Sequence, residues 1–281
     1  MPDRPFRRSG GLTLWLGVAF LAVIGGYALL VPWLAGVDDR LTDFSAARQA
    51  PSWSHPFGTD IAGRDLFVRV AAGLRISLLI AAICALASAA LGAAVGVVTA
   101  AVGGWADRLA MRTVDGINAM PHLLLGIVIV ALYPGNLAAI IASIALTHWT
   151  QVARIARAEV LTVRGSAFVD AAYLAGATRA QVMRTHLMPA AAGQTVIAVI
   201  LLLPHAIWHE STLSFLGLGL SPDRPSLGTL LQEARSSLLL GGWWTLTFPA
   251  LLLLLTTLAV AGIGAAVRDR ISPPIMERSP R

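Results

Sequence analysis

The 281-residue sequence contains no lysine, and all 21 of its Lys and Arg positions are arginine. A nucleotide-binding P-loop needs a lysine that reaches the phosphates, and Schiff-base catalysis needs a lysine amine. Both are therefore excluded from this chain. We expect it to carry no cofactor of its own. If ATP drives its activity, ATP and its magnesium ion must be bound by a partner subunit.

Cysteine and charged residues are also scarce. The single cysteine, Cys84, lies inside an apolar stretch, which excludes a disulfide framework and a cysteine-based metal site. Only 13% of the residues are charged, 56% are hydrophobic, and the mean hydropathy is +0.72. This composition predicts a polytopic membrane protein embedded in a lipid bilayer. The arginines flank apolar stretches instead of forming one patch, so we expect no nucleic-acid partner.

Long uncharged stretches predict an all-α membrane protein with six transmembrane helices. The first stretch, residues 12–37, exceeds the apolar core of a signal peptide, so we expect an uncleaved helix. Residues 116–153 carry no Asp, Glu or Arg and are too long for one span. Tyr133-Pro134-Gly135-Asn136 interrupts them, which predicts a hairpin of two spans. The other spans are predicted at 77–98, 187–208 and 245–267.

The arginines are unevenly divided between the two sides that six spans create. With the N-terminus inside, 14 arginines fall on the inner side and 7 on the outer side. The positive-inside rule then places both termini in the cytoplasm. The predicted organisation is a cytoplasmic segment at 1–11, the first helix at 12–37, an extracytoplasmic segment at 38–75, a five-helix core at 76–269 that includes a cytoplasmic loop at 154–189, and a cytoplasmic tail at 270–281.

The loop at 154–189 contains a pattern of small residues. Asp170-Ala171-Ala172 favours a short helix, and Gly176 can adopt the left-handed conformation that ends one. Thr178 and Gln181 have capping-box spacing, which predicts a second short helix. Pro189 is expected to break the chain before the next apolar stretch. Composition alone is as consistent with an ordinary connection as with a docking surface.

The pattern resembles the loop motif of ABC importer permeases, which runs Glu-Ala-Ala, three residues, Gly, nine residues, Ile-x-Leu-Pro. Asp170-Ala171-Ala172, Gly176 and His186-Leu187-Met188-Pro189 stand at the matching positions. Asp170 replaces the Glu, His186 the Ile and Met188 the Leu. The resemblance implies an ATPase-coupling loop whose residues are Asp170, Ala171, Ala172, Gly176 and Pro189.

Three other stretches resemble permeases of the dipeptide, oligopeptide and nickel group. They are His55-Pro56-Phe57-Gly58-Thr59-Asp60, Gly63-Arg64-Asp65 and Ser214-Phe215-Leu216-Gly217-Leu218-Gly219. The resemblance implies a bacterial inner-membrane permease without catalysis of its own. Its implied partners are a second permease subunit in a heterodimer, two ATP-binding subunits and an extracytoplasmic solute-binding protein.

Charge pairing is the role that we expect for the acidic residues of this first polar segment. Asp60 and Asp65 lie close in sequence to Arg64 and Arg69, so ion pairs or turn caps are favoured over a catalytic role. Trp243 and Trp244 are predicted to lie at a membrane interface, where tryptophan is enriched.

Histidines near the membrane edge are candidates for contact with the transported substrate. His205 and His209 share a helix face, and Glu210 adjoins them, so we expect these three on the substrate path. Imidazole suits nickel, zinc and copper, but two histidines are few for a metal site. Hydrogen bonding to water and backbone is the alternative role, and it is also expected of His122 and His148. Residues 204–210 resemble the metal-chelate members, which leaves metal chelates and di- or oligopeptides open as cargo.

Two further classes of protein compete with an ABC permease. A membrane-embedded enzyme would need convergent acid, base or metal-binding residues. A secondary transporter would be expected to carry intramembrane ionisable residues for ion coupling. The predicted spans hold only scattered histidines and Glu210, which favours an external source of energy.

Overall fold

The computed structural model describes residues 9–35, 42–221 and 224–271, and these ranges are mainly α-helical. In the described residues β-structure is limited to two isolated bridges, Thr59 with Asp65 and Gly135 with Leu220. The predicted all-α class is therefore confirmed. The helices are α1 (Ser9–Leu34), α2 (Leu66–Val102), α3 (Gly104–Asn118), α4 (His122–Ala131), α5 (Leu137–Arg164), α6 (Ala167–Leu174), α7 (Arg179–Val182), α8 (Met188–Phe215), α9 (Leu227–Leu238) and α10 (Trp244–Ile271).

The number of membrane spans differs from the predicted six. In the described ranges, four helical segments are long and apolar enough to cross a bilayer. They are Leu14–Leu34, Leu66–Val102, Arg179–Phe215 and Trp244–Arg270. The pair formed by α3 and α4, bent by 83°, raises the count to five if it is one broken span.

The predicted hairpin at 116–153 explains the difference. Its turn is present, and the Asn136 side chain caps α5 by accepting a hydrogen bond from Ala138 N at 2.8 Å. However, α4 has only 10 residues, about 15 Å, which is half of the ~30 Å hydrocarbon core. The 28-residue α5 is long enough, but polar residues such as Thr147, His148 and Gln151 interrupt its apolar sequence.

Parts of the predicted organisation lie outside the described residues. These parts are residues 1–8 of the N-terminal segment, residues 36–37 of the predicted first helix, residues 38–41 of the segment at 38–75, and residues 272–281 of the tail. Within the segment at 38–75, α2 already begins at Leu66, so the last ten residues of that segment are helical.

Helix α2 is the centre of the bundle and packs against α5 and α8. Its 37 residues span about 55 Å, so it is longer than the hydrocarbon core is thick. Gly92 and Gly96 face α5 so closely that a Cβ atom at either would collide with the α5 backbone at Trp149 or Ala153. The two glycines therefore allow α2 and α5 to pack closely.

At the N-terminal end of α2, the segment at 42–65 is held by buried charges. Arg69 is 2% exposed, and its Nη1 lies 2.7 Å from Asp60 Oδ2 and 2.7 Å from Glu233 Oε2 of α9. Arg64 Nε contacts the same Asp60 oxygen at 2.6 Å. Asp65 caps α2 and contacts His55 Nδ1 at 2.7 Å. The predicted pairing and capping roles are confirmed, and Glu233 is a partner that the sequence did not reveal.

Candidate functional site

The predicted ATPase-coupling loop lies at the C-terminal end of α2, where it forms a helix, a tight turn and a second helix. Helix α6 ends at Leu174, and Gly176 follows with a φ of 90°. The amide of Ala177 donates to the carbonyl of Ala172 at 3.0 Å, which closes the turn. A residue with a Cβ atom would be strained at this φ. The predicted use of Gly176 as a helix terminator is confirmed.

The predicted capping box starts α7. Thr178 Oγ1 accepts a hydrogen bond from Gln181 N at 3.3 Å, and Thr178 N donates to Gln181 Oε1 at 2.7 Å. Two amides at the start of the helix thus gain partners from within the turn. The turn between α6 and α7 is therefore defined by local hydrogen bonds as well as by glycine.

The predicted chain break at Pro189 is wrong. Helix α7 continues through a π-helical turn, Met183–Leu187, into α8, and Pro189 lies exposed in the first turn of α8. In this turn the amide of Met188 donates to the carbonyl of Met183, five residues earlier. Proline lacks an amide donor and its ring collides with the preceding turn of a regular helix. The wider π turn accommodates both effects.

Helix α6 has one buried face and one exposed face. Val169 is 0% exposed and packs in a cluster with Val160, Val182 and Leu187. On the other side, Leu174 is 90% exposed. The predicted coupling residues Asp170, Ala171, Gly176 and Pro189 are also exposed, and Ala172 is half-buried. We call Phe168, Asp170, Ala171, Tyr173 and Leu174 the α6 surface. Large apolar side chains that remain exposed beside an acidic group are typical of a site for another protein.

Polar contacts join α5 to α2 and α3 close to the start of α6. Arg157 Nε and Nη2 donate to the two carboxylate oxygens of Asp107 at 2.6 and 2.7 Å. Arg164 Nη1 donates to the carbonyl of Ala100, near the end of α2, at 2.7 Å. A two-pronged arginine–carboxylate contact fixes orientation as well as distance. These contacts therefore fix α5, which precedes α6 in the chain, to α2 and α3.

The predicted substrate-path histidines belong to a larger cluster. His148 of α5 lies at its centre, with ring centroids 4.6 Å from His209, 5.6 Å from His122 and 6.4 Å from His205. His148 is 3% exposed. His205 is exposed, and His209 and His122 are half-buried. The spacing of four between His205 and His209 was visible in the sequence, whereas no local pattern links them to His122 or His148.

Glu210 is not brought together with the histidines. Its carboxylate is 0% exposed and accepts hydrogen bonds from Ser214 Oγ at 2.9 Å and from Ser77 Oγ of α2 at 3.0 Å. Ser77 Oγ in turn accepts from the amide of Leu227, at the start of α9, at 3.1 Å. Through Ser77, the hydrogen bonds of Glu210 thus connect α8 with α2 and with the start of α9.

The described part of the chain offers no ready-made metal centre. In the described ranges, no three His, Cys, Asp or Glu side chains are placed to hold one metal ion. The free Cys84 is buried, as expected for a small core residue. The structure instead offers two separate candidate sites. One is the α6 surface, which is exposed at one end of the bundle. The other is the histidine cluster between α4, α5 and α8.

Comparison with known proteins gives matches over most of the chain. Residues 92–273 match the family described as binding-protein-dependent transport system inner membrane component. The oligopeptide transport system permease protein OppC of Haemophilus influenzae is 34% identical over 272 residues, which cover 96% of this chain and 86% of that protein. The dipeptide transport system permease protein DppC of Bacillus subtilis is 34% identical over 263 residues, which cover 91% and 82%.

A solved structure supports the same fold. The crystal structure of an amino acid ABC transporter with histidines superposes with a TM-score of 0.52 at 15% identity. The match covers 72% of this chain and 94% of that chain. At this identity the likeness concerns the helical architecture alone.

Proposed function

The chain belongs to the family of binding-protein-dependent transport system inner membrane components, as a multi-pass permease subunit of an ABC importer, and we propose that its cargo is a di- or oligopeptide. Membership in such an importer implies a further permease, ATPase and binding-protein partners in general.

The α6 surface is proposed as the contact with an ATP-binding subunit. The observation that carries this proposal is the exposure of Leu174, at 90%, on a helix whose opposite face is buried. ATP-driven closure of two ATP-binding subunits would push α6 and α7, and the contacts of Arg157 and Arg164 would pass the movement to the core. The membrane helices would then alternate between outward and inward access.

The proposed assembly is a heterodimer of this chain and a second permease subunit. Both termini and the loop at 154–189 are proposed to face the cytoplasm, and the segment at 38–75 the extracytoplasmic binding protein. The distribution of 14 inner and 7 outer arginines supports this orientation. The chain itself is proposed to hold no ATPase site, because it has no lysine for a P-loop.

A peptide cargo is supported by the names of the relatives. OppC and DppC, each 34% identical to this chain, are described as oligopeptide and dipeptide permeases. A metal-chelate cargo is less well supported, because no three ligands in the described ranges are placed around one ion. Growth on peptides as the only amino-acid source, beside cellular nickel, cobalt and zinc content, separates the two. Loss of the gene should abolish growth on peptides and leave metal content unchanged; the reverse result would replace the peptide proposal with the metal one.

The coupling role is tested by substitution of Gly176 by Leu. The left-handed φ of 90° disfavours any side chain at this position. We expect the variant to insert into the membrane normally but to lose most peptide uptake. Gly193→Leu is the matched control, because its φ is not left-handed and a Cβ atom there meets open space. Unchanged uptake and unchanged ATPase co-purification in Gly176→Leu would exclude the coupling proposal.

A further inference from the structure

The histidine cluster presents polar rings on a helix that is long and apolar enough to cross the membrane. His205 is exposed and His209 is half-buried on the segment Arg179–Phe215. An exposed imidazole directed at lipid would be costly, so these rings are expected to face a water-filled cavity or another protein chain. A substrate path through a permease provides such a cavity.

Backbone contacts orient both of these rings in the same way. His205 Nδ1 lies 3.2 Å from the carbonyl of Leu201, and His209 Nδ1 lies 3.0 Å from the carbonyl of His205. A carbonyl oxygen only accepts hydrogen bonds, so each Nδ1 must carry the proton. In a neutral ring the other nitrogen, Nε2, then has a free lone pair.

The buried His148 lies next to the ring of His209. It makes the same type of contact, from Nδ1 to the carbonyl of Ile144 at 3.0 Å, and is 3% exposed. Its ring meets that of His209 edge to face, at 4.6 Å and 84°. The ring of His209 thus packs against a buried ring, and the ring of His122 lies 5.6 Å from the same His148 ring.

We propose that Nε2 of His205 and Nε2 of His209 accept hydrogen bonds from the amino terminus of a peptide that passes through the permease. This inference rests on the proposed peptide cargo. Both nitrogens act as acceptors, so the complementary group is a donor, and the ammonium group of a peptide offers three N–H donors. The nearby carboxylate of Glu210 is already bound to Ser77 and Ser214. In the described part of the chain this carboxylate is therefore not free to hold an ammonium group, and neutral imidazoles hold one weakly, as a path that must release its cargo requires.

The test compares glutamine and asparagine at position 209. The amide of Gln reaches the position of Nε2, whereas the amide of Asn reaches the position of Nδ1 and keeps the contact with the carbonyl of His205. Uptake of a radiolabelled tripeptide is measured in proteoliposomes that hold the complete transporter, with saturating binding protein so that the rate reports the permease step. We expect uptake with His209→Asn to be slower than uptake with His209→Gln by about tenfold or more, the factor expected for loss of one hydrogen bond to a charged group.

The reverse order would show that the ring serves only its contact with the helix backbone and would overturn the proposal. Equal rates in the two variants, high or low, would overturn it as well. The same pair is made at His205, whose exposed ring can be replaced with less risk to folding, and the same order is expected. If the wild-type transporter itself takes up no peptide, the proposed cargo fails, a result distinct from failure of the histidine contact.

Discussion

The two ends of α2 hold their connecting segments in opposite ways. At the N-terminal end, the segment at 42–65 is fixed by polar contacts with buried partners: Arg69 binds Asp60 and Glu233, and Trp244 Nε1 donates to the carbonyl of Thr59 at 3.0 Å. At the C-terminal end, α6 packs through the apolar Val169 and leaves Leu174 90% exposed.

The difference indicates which of the two segments finds the partners of its side chains within this chain. The buried carboxylate of Asp60 and the buried carbonyl of Thr59 already have partners within this chain, so these groups need no further subunit to satisfy them. The α6 surface instead leaves apolar area in water that another protein could cover. Substitutions at the first end should therefore change stability, and substitutions at the second should change assembly.

Arg69→Met should have the largest effect on stability. It leaves the buried Asp60 with Arg64 as its remaining partner, so the loss should reach at most the cost of breaking a buried ion pair, about 3–5 kcal/mol. Denaturant unfolding of the purified protein in detergent measures the change. Arg154→Met is the control, because its pair with Asp115 has exposed side chains, 51% and 65%, and such pairs contribute about 0–1 kcal/mol. Equal losses in the two variants would contradict the contrast between the two ends.

Trp244→Phe should have an intermediate effect. Phenylalanine keeps an aromatic ring in place but cannot donate to the carbonyl of Thr59, a residue that is 0% exposed. A buried acceptor without its donor costs about 1–3 kcal/mol, which the same unfolding measurement detects. Trp243→Phe, at a ring that is 54% exposed, should cost less. A larger loss at Trp243 would show that the hydrogen bond is not what fixes the segment.

Leu174→Ser should have the smallest effect on stability and the clearest effect on assembly. A surface substitution of this kind changes stability by about 0.5 kcal/mol or less. We expect weaker co-purification of the ATP-binding subunits and slower peptide uptake. Leu239→Ser is the matched control, because Leu239 is 89% exposed but lies near the opposite end, just before α10. Equal retention of the ATP-binding subunits in both variants would argue against the α6 surface as their contact.

Local patterns in the sequence predicted local structure correctly where the partners are close along the chain. The capping box of Thr178 and Gln181, the left-handed Gly176 and the pairing of Asp60 with Arg64 each involve residues within four positions. Composition also predicted an all-α membrane protein, because uncharged stretches of this length are stable as helices in lipid. The prediction of a chain break at Pro189 was nevertheless wrong, because the rule for proline in regular helices does not apply to a π turn.

Tertiary structure decided the features that depend on which helix faces meet. Arg69 pairs with Glu233 across 164 positions, and Glu210 turns towards Ser77 across 133 positions instead of joining His205 and His209. His148 meets His209 only because α5 packs against α8. No periodicity in the sequence encodes such meetings, since each depends on the relative rotation and depth of two helices. The sequence by itself therefore determined the all-α class, the capping box and the left-handed turn, whereas packing decided the buried charge network and the histidine cluster.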